Sequence, residues 1–288
     1  MRLLIRLLLL ILAVLLLAGC SAVRLGYGNA DSLARWWIDQ YLDLSPEQDA
    51  LSRERLARLM AWHRKTQLPD YIALLRQGKA FAAGQPTAGD ALALGDSIIR
   101  RVRVLAEQAT PDVADLLATL TPAQIDRMAA RFAEKNADLA REMRLAEGDA
   151  AQHKARYKRL LERAEYWLGD FSNEQESALR RMTEAQDPGG QFWFEERLRR
   201  QRELLELMRQ VQKQRPPRER IVALLRDYAA RFDLPSDPAR LERALGMRRA
   251  SAELTVAILA MATPAQREHA RQKFDDLIHD FTELSKAE

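Results

Sequence analysis

Side chains that could do chemistry are few and scattered in this 288-residue sequence. Zinc sites and metal-dependent hydrolases place histidines, cysteines or carboxylates at short fixed spacings, as in His-Glu-x-x-His. No such spacing is present, and the cysteine and the histidines occur singly, at Cys20, His63, His153, His269 and His279. We therefore expect no metal site and no bound cofactor.

The acidic pair Glu195 and Glu196 raises the question of glycoside hydrolysis, which uses two carboxylates. Adjacent residues of a helix point in different directions, and Arg199 and Arg200 follow each glutamate at ion-pair spacing. We expect these charges to form surface ion pairs on a solvated helix face. An envelope enzyme whose carboxylates are brought together only by the fold is the alternative.

Motifs for nucleotides and for nucleophilic serine are absent from the sequence. The stretch 26–31 begins like a dinucleotide-binding loop but has Asp31 where the third glycine belongs, and no P-loop or Gly-x-Ser-x-Gly elbow occurs. We interpret this stretch as part of a flexible tether.

The amino terminus predicts an export signal. Arg2 and Arg6 precede 13 uncharged residues, 7–19, and this run is shorter than the roughly 20 residues that span a bilayer. Leu17-Ala18-Gly19-Cys20 resembles the lipobox of bacterial lipoproteins. The resemblance implies cleavage before Cys20, acylation of this cysteine, and a membrane partner bound through its acyl chains.

The same resemblance predicts where the protein lies. Ser21 follows the cysteine, and not the aspartate that marks many lipoproteins for the inner membrane, so we expect an outer-membrane lipoprotein facing the periplasm. The chain holds 45 Lys and Arg against 41 Asp and Glu. Cleavage would remove two arginines and leave a nearly neutral protein, which disfavours a nucleic-acid partner.

Nearly everything after Asn29 has the periodicity of amphipathic helices. We predict an all-α bundle of about ten helices over residues 30–288, behind a signal peptide at 1–19 and a lipidated tether at 20–29, with a subdivision near 187 left open. Turn chemistry and proline predict helix breaks at 84–86, Thr110-Pro111, 187–190, Pro216-Pro217 and 234–238.

A short phrase occurs four times: an apolar residue, a hydroxyl residue, two further residues and glutamine. It predicts a capping box, in which the hydroxyl and the glutamine satisfy free N–H groups at a helix start. The four hydroxyl and glutamine pairs are Ser45 and Gln48, Thr121 and Gln124, Ser172 and Gln175, and Thr263 and Gln266.

The phrase also resembles the Leu-Thr-x-x-Gln motif of periplasmic chaperones of the Spy and CpxP type. Only Leu120-Thr121-Pro122-Ala123-Gln124 keeps the full pattern. This resemblance implies a helical protein that cradles unfolded clients, whereas helix capping explains the phrase without a client.

Aromatic residues concentrate between Tyr27 and Tyr71. The phrases "WWIDQY" and "WHRKTQLPDY", which contain Trp36, Trp37, Tyr41, Trp62, His63 and Tyr71, resemble a family of proteobacterial lipoproteins of unknown function. The resemblance covers roughly residues 17–75 and implies a helical protein of the cell envelope.

These six residues are the candidate binding surface. Trp36, Trp37 and Tyr41 suit a membrane interface or an apolar groove, or alternatively attach the first helix to the bundle. Trp62 and His63 are expected at the end of the second helix, where a protonated His63 would complement the helix dipole.

We expect a protein that acts by binding or scaffolding, with envelope proteins or unfolded clients as partners, and without catalysis. The oligomeric state is not predicted.

Overall fold

The computed structural model describes residues 22–286, which form eleven α-helices and no strand. The predicted all-α class is confirmed. Cys20 and the predicted signal lie outside the described residues. The helices are α1 (Ala22–Gly28), α2 (Ala30–Leu42), α3 (Pro46–Ala83), α4 (Ala88–Thr119), α5 (Pro122–Glu142), α6 (Asp149–Leu168), α7 (Asn173–Glu184), α8 (Gly190–Gln214), α9 (Arg218–Ala230), α10 (Pro238–Met261) and α11 (Pro264–Lys286).

All four predicted capping boxes are present, at the starts of α3, α5, α7 and α11. In each box the hydroxyl accepts from the glutamine backbone N–H at 3.2 or 3.3 Å. The glutamine side chain accepts from the backbone N–H of the Ser or Thr at 2.9 or 3.0 Å. A fifth box, Thr87 with Asp90, starts α4 and was not predicted because aspartate replaces the glutamine.

The four glutamines also bond to each other in two pairs. Gln124 Nε2 donates to Gln48 Oε1 at 2.6 Å, and Gln48 Nε2 donates to Gln124 Oε1 at 3.2 Å. Gln175 and Gln266 form the same reciprocal pair, at 2.8 and 3.1 Å. Each pair therefore joins two helix starts that are far apart in the sequence.

Two sets of four helices, one around each glutamine pair, repeat one packing scheme. We call α2–α5 the first half, and α6, α7, α10 and α11 the second half. In the first half, α2 packs on α5 and α3 on α4; in the second half, α6 packs on α11 and α7 on α10. The inserted helices α8 and α9 pack on α4, and α8 also packs on α5. Contacts of α3 with α11, and of α4 with α9 and α10, join the parts of the chain before and after residue 187.

Hydrophobic cores lie beside the two glutamine pairs. The apolar residue of each phrase enters the neighbouring core: Leu120 and Phe171 are buried there, and Leu44 and Ala262 are partly buried. The long α3 lies against α11, where a Cβ on Gly78 would come within 2.8 Å of the Phe274 ring. A residue without a side chain is thus required at this close approach.

Two predicted helix ends, the one after Trp62 and His63 and the one at Thr110-Pro111, are wrong. Helix α3 continues through Pro69 and α4 continues through Pro111. Proline in a helix interior costs about 3 kcal/mol through a lost hydrogen bond and a steric clash. Leu68 and Ala114 beside these prolines are fully buried, so packing of the two long helices offsets the local cost. The other four predicted breaks separate helices as expected.

The expectation of a flexible tether is also wrong for residues 22–28, which form α1. This helix is attached to the bundle by two polar contacts. Arg24 Nε lies 2.9 Å from Asp280 Oδ1 of α11, and Tyr27 Oη lies 2.8 Å from His63 Nδ1 of α3. The position of Cys20, two residues before α1, is therefore close to the helical body along the chain.

The glutamine pairs predict a coupled loss of stability. Gln48→Ala or Gln124→Ala removes a cap bond and the cross-link, so each substitution should lower the free energy of unfolding by about 1–2 kcal/mol. The double variant should lose less than the sum, because either substitution already breaks the pair. Chemical denaturation measures all three values.

Gln124→Glu is the matched control for that experiment. Its carboxylate still accepts from the Thr121 N–H and from Gln48 Nε2 but no longer donates to Gln48, so it keeps the cap and removes one of the two bonds of the pair. Strict additivity of Gln48→Ala and Gln124→Ala would contradict a structural role for the pair.

Candidate functional site

The predicted aromatic residues separate into two groups. Trp37 lies against Tyr41 with ring centroids 4.6 Å apart, and Tyr41 lies 5.7 Å from the ring of Phe132 in α5. Tyr41 packs against the first-half core. Trp36 and Trp37 remain 58% and 55% exposed, so Tyr41 attaches α2 to the bundle while both indole rings face outward.

An exposed apolar patch results on α2. Leu33, Trp36 and Trp37 are spaced by three and four residues and all are more than half exposed, so they share one helix face. This set is called the α2 patch. The exposed Leu25 precedes it in α1.

The second group surrounds His63. Its Nε2 lies 3.2 Å from Tyr71 Oη, and its Nδ1 is bonded to Tyr27, so both ring nitrogens have a hydroxyl partner. Trp62 and Phe281 complete the cluster at ring distances of 6.4 Å from His63 and 6.3 Å from Tyr71. Tyr27 and Phe281 were not predicted.

His63 does not have the predicted role of a cation at a helix end. It lies in the interior of α3, and burial lowers its pKa. Burial also raises the pKa of Tyr27 and of Tyr71. At neutral pH the ring is therefore uncharged, with one nitrogen donating and the other accepting. The cluster holds α1 on α3 through hydrogen bonds between neutral groups.

A large groove lies in the second half and was not predicted. It has a volume of about 870 Å³ and is lined mainly by α6 and α10, with parts of α3 and α11 and the 186–190 turn. This volume is in the range of about 300–1,000 Å³ that is typical of ligand sites. The apolar lining includes Phe81, Leu160, Trp167, Trp193, Leu254, Ile258 and Phe274, together with the small residues Gly78, Gly246 and Ala250.

Arginines follow one side of this groove. Arg156, Arg159 and Arg163 recur on α6 at a spacing of three and four residues, and Arg243 approaches from α10. Such spacing places the three α6 residues on one helix face. Asp187 is the single carboxylate among the described residues that line the groove.

Asp187 binds two of these arginines. Its carboxylate pairs with Arg243 at 2.9 Å, and its backbone oxygen accepts from Arg156 at 3.0 Å. A hydrogen bond from the Gly189 N–H, followed by Arg243, lowers the pKa of Asp187. Burial, followed by the charge of Arg159, lowers the pKa of Arg156. Arg159 and Arg163 form no ion pair within residues 22–286.

The carboxylate pair Glu195 and Glu196 does not form the predicted contacts with Arg199 and Arg200 at four-residue spacing. Glu196 is buried and bonds to Arg199 at 2.8 Å and to Arg240 at 2.7 Å; Glu195 also contacts Arg240, at 3.3 Å. Despite burial, hydrogen bonds from Arg199 and Arg240 lower the pKa of Glu196. A general acid needs a raised pKa, so this pair is a structural ion-pair network.

No group of three or more His, Cys, Asp or Glu among residues 22–286 is arranged to hold a metal ion. In that same part of the chain, no helix combines the length and the apolar character needed to cross a bilayer.

The chain is an all-α protein with an apolar, arginine-lined groove. A family model matches residues 40–231, and the chain belongs to this family, DUF6279, a family of unknown function. Comparison with curated proteins and with solved structures found no match. The match agrees with the uncharacterised family predicted from the aromatic phrases.

The sequence carried a weak signal for the groove. The arginine spacing 156, 159, 163 and the small residues 246, 250 and 251 are visible in it. Arginine on a helix face usually meets solvent, however, and small residues usually mark close packing. Only the placement of these residues of α6 and α10 along one groove gives both features a different meaning.

The buried histidine predicts a pH dependence of stability. Because the pKa of His63 is lower in the folded protein than in the unfolded chain, protonation favours unfolding. The free energy of unfolding should fall as the pH decreases from 7 to 5.5, a range above the usual carboxylate pKa values of about 3.9–4.3. Denaturant titrations at several pH values measure this slope.

His63→Gln is the control, because it keeps hydrogen-bonding groups but does not titrate. Its slope between pH 7 and 5.5 should be flatter than that of the wild type. An unchanged slope would mean that another group causes the dependence.

Proposed function

We propose that the protein is an outer-membrane lipoprotein, facing the periplasm, that is anchored through acyl chains on Cys20 and acts by binding an apolar ligand. The observation that carries the binding function is the groove of about 870 Å³. Its lining is mainly apolar, as is typical of ligand pockets.

The anchor is supported by the sequence around Cys20 and by the position of α1. Since α1 begins at Ala22 and contacts α3 and α11, acyl chains on Cys20 would hold the helical body next to the bilayer. The α2 patch exposes two tryptophans near this point, and tryptophan is favoured at membrane interfaces. We propose that the α2 patch contacts the lipid surface.

Catalysis by two carboxylates has less support. The groove offers one lining carboxylate, Asp187, and it is paired with Arg243. A chaperone function that depends on the glutamine phrase also has less support. Gln48, Gln124, Gln175 and Gln266 are used at helix starts and are not among the residues that line the groove.

The anchor is tested by mass spectrometry of the full chain expressed in a Gram-negative host. The wild type should begin at an acylated Cys20 and sediment with outer membranes, whereas Cys20→Ala should be neither acylated nor processed. A wild-type chain that keeps Met1 and carries no acyl group would overturn the anchor and the proposed location.

The membrane contact of the α2 patch is tested by tryptophan fluorescence in vesicles that contain brominated lipids. Bromine quenches only nearby rings, so the wild type should be quenched and Trp36→Phe/Trp37→Phe should not. Trp193→Phe, which removes a groove residue, is the matched control and should stay quenched. Equal quenching in all three proteins would contradict this orientation.

A further inference from the structure

We infer that the groove binds a single-chain lipid with an anionic phosphate head group. This inference rests on the proposed binding function and specifies its ligand. The reasons are the charge of the lining, the arrangement of that charge beside an apolar surface, and the volume.

The lining carries a strong excess of positive charge. Four arginines face one aspartate, although the chain as a whole is close to balanced, with 45 basic and 41 acidic residues. Asp187 already pairs with Arg243. The charges of Arg159 and Arg163 have no carboxylate partner in the part of the chain that the structure describes, so an anionic ligand would supply one.

Arginine favours a phosphate for geometric reasons. The guanidinium group presents several N–H donors in a planar fork, which matches phosphate and carboxylate oxygens. Arg156 already donates to Asp187 O and Gln186 Oε1, but Arg159 and Arg163 together still provide more N–H donors than one carboxylate can accept. The repeated spacing therefore favours a phosphate group with several acceptor oxygens.

The other groups of the lining favour an alkyl chain. Trp167 and Phe274 stack with ring centroids 4.8 Å apart, and both contact the second-half core. Ile258 and Leu254 of α10 extend this surface. Each methylene of an alkyl chain buried along these residues is removed from water and strengthens binding, whereas a soluble phosphate compound would leave the surface exposed to water.

The volume favours a single chain. The groove volume of about 870 Å³ lies in the range of about 300–1,000 Å³ that is typical of sites for small ligands. A lipid with one acyl chain is closer to that size than a lipid with two chains.

The probes are three compounds with matched parts. Oleoyl lysophosphatidic acid has the chain and the phosphate, monooleoylglycerol has the same chain without charge, and glycerol 3-phosphate has the head group alone. The two lipids carry a photoreactive diazirine in the chain. Each is added to the purified full-length protein in a non-ionic detergent, and the crosslinked peptides are identified by mass spectrometry.

The wild type should be labelled saturably by the lysophosphatidic acid on groove peptides of α6 and α10. Unlabelled lysophosphatidic acid should compete, and glycerol 3-phosphate should not. Arg159→Gln/Arg163→Gln should weaken this labelling about tenfold, because two charge-assisted contacts are lost. Labelling by monooleoylglycerol should not change in this variant.

Two controls separate these effects from general ones. Arg202→Gln/Arg220→Gln removes two exposed arginines that do not line the groove, and labelling should stay at the wild-type level. Gly246→Phe fills the groove at a position where an added Cβ meets no atom within 4 Å, and it should prevent groove labelling by both lipids. Circular dichroism verifies that each variant is folded.

The outcomes distinguish the inference from the binding function itself. Equal groove labelling by both lipids, unaffected by Arg159→Gln/Arg163→Gln, would overturn the anionic head group and leave an apolar ligand. Stronger labelling by a diazirine oleate than by the lysophosphatidic acid would overturn the choice of phosphate. If an acidic amphipathic peptide displaces the label and unlabelled lipid does not, the occupant is a peptide. Absence of groove labelling by every probe would overturn the binding function as well.

Discussion

Free N–H groups at helix starts are the constraint from which the architecture follows. The first N–H groups of a helix have no partner within it and need one elsewhere. Here a hydroxyl and a glutamine satisfy them, and the glutamines then bond to each other across the fold. The same glutamines therefore cap helices locally and join helix starts that are distant in the sequence. Each half of the bundle contains one such pair.

The groove follows from how the second half departs from the first. In the first half, α8 and α9 add a layer over α4 and α5 and bury Leu207, Val211 and Ile221. Gly190 and Trp193 at the start of α8 still line the groove, but the rest of α8 and α9 packs on α4 and α5, and the space between α6 and α10 stays open. Small side chains on α10 and the close approach at Gly78 widen this space without breaking the packing of α3 on α11.

Buried polar groups hold elements together in two different ways. The His63 cluster holds α1 through neutral hydrogen bonds, which avoid the cost of a buried charge. The Glu196 carboxylate can be buried because the guanidinium groups of Arg199 and Arg240 compensate its charge. The arginines of the groove differ from both, since two of them have no such compensation among the described residues.

The sequence alone determined the helical class, four helix starts and four of the five predicted breaks. These features depend on residues within a few positions of each other, such as Thr121 and Gln124, and local chemistry decides them. Helices that continue through Pro69 and Pro111 could not be predicted in this way, because burial against distant helices offsets the cost of proline. The neutral state of His63 likewise depends on Tyr27 and Tyr71 and on burial.

Only the tertiary structure decided which helix starts are paired, where Glu196 is buried and that a groove exists. The phrases specify glutamines but not their partners, since Gln48 meets Gln124 across 76 residues. The groove depends on how helices that are distant in the sequence are placed beside each other, and sequence periodicity describes each helix separately. In the sequence, the arginines of the groove therefore look like an ordinary solvated helix face. Only the tertiary structure shows that they line a groove between α6 and α10.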